Sequence, residues 1–226
     1  MSVLSRRLLH VFYPNRCPVC SSVIGAMDRF CPECSGRLVP WKGSFSVTGA
    51  DSFSAAFVYG DSIRPAVTLL KSGRLGNSAY ALALSVADAI GDNGIAGSVD
   101  VIVPVPMLPD DVRKRGYNQA EIICRILGDR IGVPVAAAAE KFRVTLPQKE
   151  LSKKEREINL MNAFRIPSPD LVKNKRVLLV DDVCTTGSTL AEITRVLRIA
   201  GADQVHCACA CKTPDINFDE VNFYVY

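Results

Sequence analysis

The chain has 226 residues, enough for one substantial domain and a small appendage, with 48% hydrophobic and 22% charged residues. That balance excludes an intrinsically disordered chain, and no apolar run approaches the roughly 18 residues needed to span a bilayer. A formal charge of +4 permits binding to phosphates or nucleic acid without pointing to either.

At the start, "MSVLSRRLLHVFYPNRC" sets Arg6 and Arg7 ahead of Leu8, Leu9, Val11 and Phe12. The run is too short for the apolar core of a signal peptide and lacks a small-residue cleavage site. It predicts an amphipathic helix packed on the domain, no membrane insertion and a cytoplasmic protein. Next comes "CPVCSSVIGAMDRFCPEC", two CxxC pairs formed by Cys17, Cys20, Cys31 and Cys34. Each tight turn presents two thiolates to one ion, and two turns complete a tetrahedral zinc site. Pro18 and Pro32 preset the turns. A dithiol redox centre needs only one CxxC, and a cysteine core lacks apolar companions here. With no open ligand position, the zinc is expected to be structural. The other five cysteines, Cys124, Cys184, Cys207, Cys209 and Cys211, fall inside helix or strand patterns and read as small core residues.

Residues 35–52 are rich in Gly and Ser and read as a linker. "FSAAFVYG" (53–60) predicts a strand, and 62–71 and 78–91 carry helical periodicity. "DVIVPVP" (100–106) is a buried strand stopped by Pro104 and Pro106. Residues 118–131 predict a helix ending near Gly132. Between 141 and 166, two short apolar stretches flank a polar centre, an excursion of the kind that is usually functional or mobile. Then come a strand at 175–182, a helix from Leu190 to Ala200 stopped by Gly201, a strand at 204–212 and a terminal strand at 221–226. This alternation predicts a parallel, doubly wound α/β sheet. The expected division is 1–42, an N-terminal helix with a four-cysteine zinc module, and 43–226, the main domain.

"VLLVDDVCTTGSTL" (177–190) carries the chemistry. In such sheets ligands bind outside the carboxyl ends of strands, where Asp181 and Asp182 stand. Thr185, Thr186, Gly187, Ser188 and Thr189 follow, at the start of a helix whose unpaired N–H groups favour an anion. Gly187 permits close backbone approach. The loop suits a phosphate, and the carboxylates suit sugar hydroxyls or Mg²⁺, so a phosphorylated sugar fits both. A P-loop would need a Lys in this turn and a dinucleotide fold GxGxxG; neither is present. Ser188 as a plain N-cap leaves the acid pair unexplained.

This stretch resembles the phosphoribosyl pyrophosphate (PRPP) signature of type I phosphoribosyltransferases through its whole length. Taken with the double CxxC, "PVPMLPDDVRKRGYNQAE" and "LPQKELSKKEREINLMNAF", the chain is similar to the ComF family of competence-associated proteins. Asn162 stands where that family more often shows Gly or a basic residue. The resemblance implies a type I phosphoribosyltransferase fold with residues 43–98 as hood, and PRPP bound with Mg²⁺. Asp181 and Asp182 would hold the ribose hydroxyls, and Thr185 to Thr189 would wrap the 5-phosphate. The loop of Arg113, Lys114, Arg115 and Gly116 would meet the pyrophosphate, a solvated charge run being the plain alternative. The polar excursion would be the catalytic loop, with Gln148, Lys149, Arg156 and Asn159 at work. Arg113, Lys149 and Arg156 are the candidate catalytic residues.

Lys71 at a helix end completes that helix's dipole, with a contact to ligand phosphate as a second reading. His10 and His206 read as structural. Two functions are compatible with the set. One is transfer of phosphoribose to an unknown acceptor with release of pyrophosphate. The other is a non-catalytic PRPP sensor in DNA uptake, its zinc module contacting DNA or protein partners. Only Arg16, Arg29 and Arg37 accompany the cysteines, which speaks against sequence-specific DNA reading.

Overall fold

The structure is a computed structural model that describes residues 10, 12–73, 77–143 and 162–214. Gln148, Lys149, Arg156 and Asn159, the strand expected at 221–226 and most of the expected N-terminal helix lie outside them.

After the cysteine segment and its short helix α1 (Pro32–Arg37), the chain builds β1 (Ser52–Val58), α2 (Arg64–Lys71), α3 (Ser78–Asp92), β2 (Val101–Pro104), α4 (Pro109–Arg115) and α5 (Gln119–Ile131). A small antiparallel pair follows, β3 (Glu140–Lys141) with β4 (Phe164–Arg165), and then β5 (Arg176–Cys184), α6 (Ser188–Ile199) and β6 (Gln204–Lys212). The main sheet is parallel in the order β1-β6-β5-β2.

Burial on both faces makes β5 a near-continuous apolar run. Val177 and Leu179 join one core with Val101, Val103, Val205, Leu190, Ile193 and Leu197, beneath α6. Leu178 and Val180 join the other with Ile102, Leu82, Val86, Ile123 and Leu127, beneath α3 and α5. Cys207 and Cys209 fill the first core and Cys211 the second, as small residues in a tightly packed strand.

Two departures from the sequence pattern matter for the site. β5 runs two residues further than expected, so Asp181 and Asp182 are still inside the strand, Asp181 opposite Cys209. And Arg113 to Arg115, expected in a loop, form the last turn of α4. Pro109 opens that helix, Asp110 and Asp111 fill its first turn, and Gly116 closes it in the left-handed conformation at φ +89°. Seven residues are too few for a 3.6-residue period to show.

The cysteine segment is docked on the sheet rather than tethered beside it. Asn77 Nδ2 donates to the carbonyls of Asp28 (2.9 Å) and Arg29 (3.0 Å), and Arg29 pairs with Asp88 of α3. Phe30 meets Phe57 edge to face, with ring centroids 5.9 Å apart. The linker then runs antiparallel along β1, Trp41 N–H donating to Ala56 O (3.1 Å).

Leu178 is fully buried in the strand that both cores share. Its truncation in Leu178→Ala should cost about 2–5 kcal/mol, read as a lower midpoint in urea with an unchanged slope.

Candidate functional site

At the end of β5 each carboxylate folds onto the following backbone. Asp181 Oδ1 accepts from Asp182 N–H (2.8 Å), and Asp182 Oδ1 accepts from Val183 N–H (2.7 Å). Asp182 also receives Lys71, whose Nζ lies 3.1 Å from Oδ2. Its side chain is 14% exposed. Burial, and next the adjacent charge of Asp182, push the Asp181 carboxyl up to about 8, against the opposing pull of the Asp182 N–H and Lys71.

Lys71 is held there. It ends α2, where the Tyr117 hydroxyl donates to Leu70 O (2.6 Å) and accepts from Gly73 N–H (2.9 Å). Tyr117 precedes Asn118, which caps α5 by accepting from Ala120 N–H (3.0 Å) and donates through Nδ2 to Val105 O (2.9 Å). Val105 N–H in turn bonds Val180 O (2.9 Å), beside the acids. So "GYN" (116–118) ties α2, β2 and β5 together. Next to it Gln119 is 4% exposed, and its Nε2 has no hydrogen-bond partner among the described residues. An orphaned buried amide of this kind calls for a water or ligand.

The hydroxyl loop opens α6. Gly187 takes φ +78° as its N-cap and supplies no side-chain cap. Thr186 Oγ1 and Ser188 Oγ share a hydrogen bond of 2.8 Å, and Thr185 is exposed at the turn. No side chain caps the first amides of the helix, which have no intrahelical acceptor. The phosphate-type loop and the acid pair are thus contiguous.

The basic turn is not drawn into this arrangement. Arg113 pairs with Asp110 on its own helix, and Arg115 Nη1 lies 3.9 Å from Met107 Sδ. Among the described residues neither guanidinium contacts the acid pair. Gly116 has open space where a side chain would project. Asn162 adopts φ +56°, a conformation that suits Gly and tolerates Asn. Its N–H donates to Glu192 Oε1 (2.8 Å) and its Oδ1 accepts from Arg195 (3.2 Å), which ties it to α6. His206 bonds Ser52 Oγ (2.8 Å) at the far end of the sheet, and His10 Nδ1 accepts from Asn15 N–H (2.9 Å); both are structural contacts.

The pairing of Lys71 with Asp182 is one the sequence reading missed, having given Lys71 the helix dipole first and a contact to ligand phosphate second. Its only signal was a lysine at the end of an apolar helix ahead of Ser72 and Gly73.

The four cysteines form a separate centre. Their sulfurs all lie within 4.8 Å of one another, with Cys20 and Cys31 3.6 Å apart. Zn–S bonds of about 2.3 Å in a tetrahedron demand sulfur separations of about 3.8 Å, so the set fits zinc. Cys17, Cys31 and Cys34 are buried, and Cys20 faces solvent. Hydrogen bonding to Ser22 holds the Cys20 thiol down to about 6, whereas burial pushes Cys34 up to about 12.

Two outcomes follow from these two centres. The folded chain keeps a proton on Asp181 that the unfolded chain releases near 3.8, so stability falls as pH rises from about 4 to about 8. Asp181→Asn should remove that slope, raising the melting temperature more at pH 8 than at pH 5, by roughly 2–4 °C per kcal/mol gained. Equal shifts at both pH values would contradict it. For the cysteines, metal analysis should find about one zinc per chain, and Cys17→Ser should bring this below about half an equivalent and lower the melting temperature.

A model of the phosphoribosyl transferase domain matches residues 85–222, and one of the double zinc ribbon domain matches residues 8–51. The DNA utilization protein YhgH of Escherichia coli (strain K12) is 33% identical over 216 residues, covering 87% of this chain and 90% of that protein. Competence protein F of Haemophilus influenzae is 30% identical over 208 residues, with the same coverage of 87% and 90%. Competence protein ComFC of Streptococcus pneumoniae is 28% identical over 103 residues, 46% of this chain and 44% of that one. With its parallel sheet, its acid pair and hydroxyl loop, and its four clustered cysteines, the chain belongs to the phosphoribosyl transferase domain family, as a ComF-type member with a zinc ribbon in front.

Proposed function

We propose that the chain binds PRPP with Mg²⁺ at the carboxyl end of β5 and serves DNA utilisation, the process for which its relatives are named. One observation carries this reading: two carboxylates, answered among the described residues by the single ammonium of Lys71, stand directly against a helix start that no side chain caps. Asp181 and Asp182 accept from the ribose hydroxyls. The hydroxyls of Thr185, Thr186, Ser188 and Thr189 and the first amides of α6 donate to the 5-phosphate. Gln119 Nε2 gains an acceptor in the same region. Arg113, Arg115 and Gly116, with Lys149 and Arg156, face the pyrophosphate, and Lys71 exchanges Asp182 for the ligand's negative charge. Mg²⁺ supplies neutralisation of the diphosphate. The carboxylates and loop present suit such a ligand: oxygen donors for hydroxyls or a hard cation, amide donors for phosphate.

In this reading residues 1–42 form the zinc module and 43–98 the hood, in a cytoplasmic protein. No helix among the described residues is long and apolar enough to cross a membrane. Transfer means displacement of pyrophosphate from ribose C1 by an acceptor nitrogen, with water excluded so that the ribosyl cation is not hydrolysed.

A second reading is a chain that holds PRPP without turning it over; a cavity of about 1020 Å³ between the cysteine segment, β1 and α3, lined by Arg29, Trp41, Phe53, Asp88 and Asn93, lies away from Asp181 and Asp182.

PRPP with Mg²⁺ should raise the melting temperature in proportion to the logarithm of ligand concentration. No shift at millimolar ligand would defeat both readings. Given a shift, pyrophosphate release with a panel of nucleobases and amines supports transfer, and silence across the panel supports a sensor.

A further inference from the structure

Phe45 belongs to the linker that follows the cysteine segment, yet its ring lies on the hydroxyl loop. A methyl group built on Gly187 would stand 2.9 Å from Phe45 Cζ and 3.1 Å from Cε1, so ring and loop backbone are in direct contact. The ring is itself fixed from two sides. Phe53 meets it at 4.9 Å between centroids, and Lys212 Nζ lies 4.3 Å from its centroid. Lys212 ends β6 and is fully buried. Its ammonium donates to Thr213 O (2.7 Å) and stands 5.6 Å from the centroid of Trp41.

Burying an ammonium is costly unless carbonyls and aromatic faces surround it. Here those contacts also hold Trp41 and Phe45 at a set distance from β6. The same strand end grips the stem of the loop: Lys212 is in register with Cys184, and Thr213 N–H donates to Cys184 O (3.0 Å). Gly187, with φ +78° and no side chain, contributes no restraint of its own at the apex.

We propose that Phe45, held by Lys212, is a positioning residue of the hydroxyl loop: it sets the backbone at Gly187 from which the amides of α6 address a 5-phosphate. The affinity of that subsite is thereby tied to the linker between cysteine segment and sheet. This rests on the PRPP reading and adds to it a residue outside the signature. Restraint of a loop in its binding geometry lowers the entropy lost when the ligand arrives.

Ribose 5-phosphate and magnesium pyrophosphate, titrated separately by calorimetry, test the idea on wild type, Phe45→Ala, Phe45→Leu and Lys212→Met. Phe45→Ala should weaken ribose 5-phosphate about tenfold, or about 1.4 kcal/mol, with pyrophosphate changed less than about twofold. Lys212→Met should act in the same direction, and Phe45→Leu, which keeps most of the volume, should recover most of the loss. A general packing defect would instead weaken both probes alike, in step with the melting temperature, and would overturn the proposal. Unchanged ribose 5-phosphate binding by Phe45→Ala, with wild type binding normally, also overturns it while leaving the PRPP reading intact. Wild type that binds neither probe removes both.

Discussion

Lys71 and Asp182 meet across 3.1 Å at the point where α2 and β5 converge, and Asp181 stands beside them with a raised affinity for its proton. Two carboxylates at a crowded strand end repel each other and lose hydration, so one charge is suppressed and the other needs a cation. The fold is arranged to supply that cation. Tyr117 clips the end of α2, Asn118 pins the start of α5 to Val105, and Val105 is bonded to β5. At neutral pH and above the acid pair costs the fold stability.

At the other end of the chain the metal centre works by the opposite logic. Apart from Ile24, the buried apolar residues of the cysteine segment are three of the four cysteines themselves. A segment so poor in core depends on metal–sulfur bonds for its shape. That shape is then carried into the main domain by Asn77, Arg29 and Phe30, and by the linker that covers β1. The metal centre and the hydroxyl loop are therefore parts of one packed body.

Much of this was legible in the sequence because the signals were local. The run "VLLV" reads as a strand, and the four CxxC cysteines point to an ion over a redox centre or a cysteine core. The alternation of elements gave the parallel sheet, and β6 was placed residue for residue at 204–212. What escaped was set by distance in sequence or by brevity. The pairing of Lys71 with Asp182 joins residues more than a hundred apart, and nothing local distinguishes such a lysine from one that completes a helix dipole. Phe45 lay in a stretch whose glycines and serines read as linker, and its contact with Gly187 exists only in three dimensions. α4 was too short for periodicity, although Pro109, Asp110, Asp111 and Gly116 are the expected stop and start residues of a helix. Asn162 looked like a minor departure from the family pattern; its positive φ makes Asn a natural substitute for Gly.

The account stands or falls on what Asp181 and Asp182 hold. Calorimetric titration of PRPP with Mg²⁺ into wild type and into Asp181→Asn/Asp182→Asn measures it directly. Losing one charged partner, Asp182, at about 1.5–3 kcal/mol and one largely protonated partner, Asp181, at about 0.5–1.5 kcal/mol predicts a fall in affinity of about 30-fold or more. Equal affinity for the two chains, with both folded and both carrying zinc, would contradict the central claim.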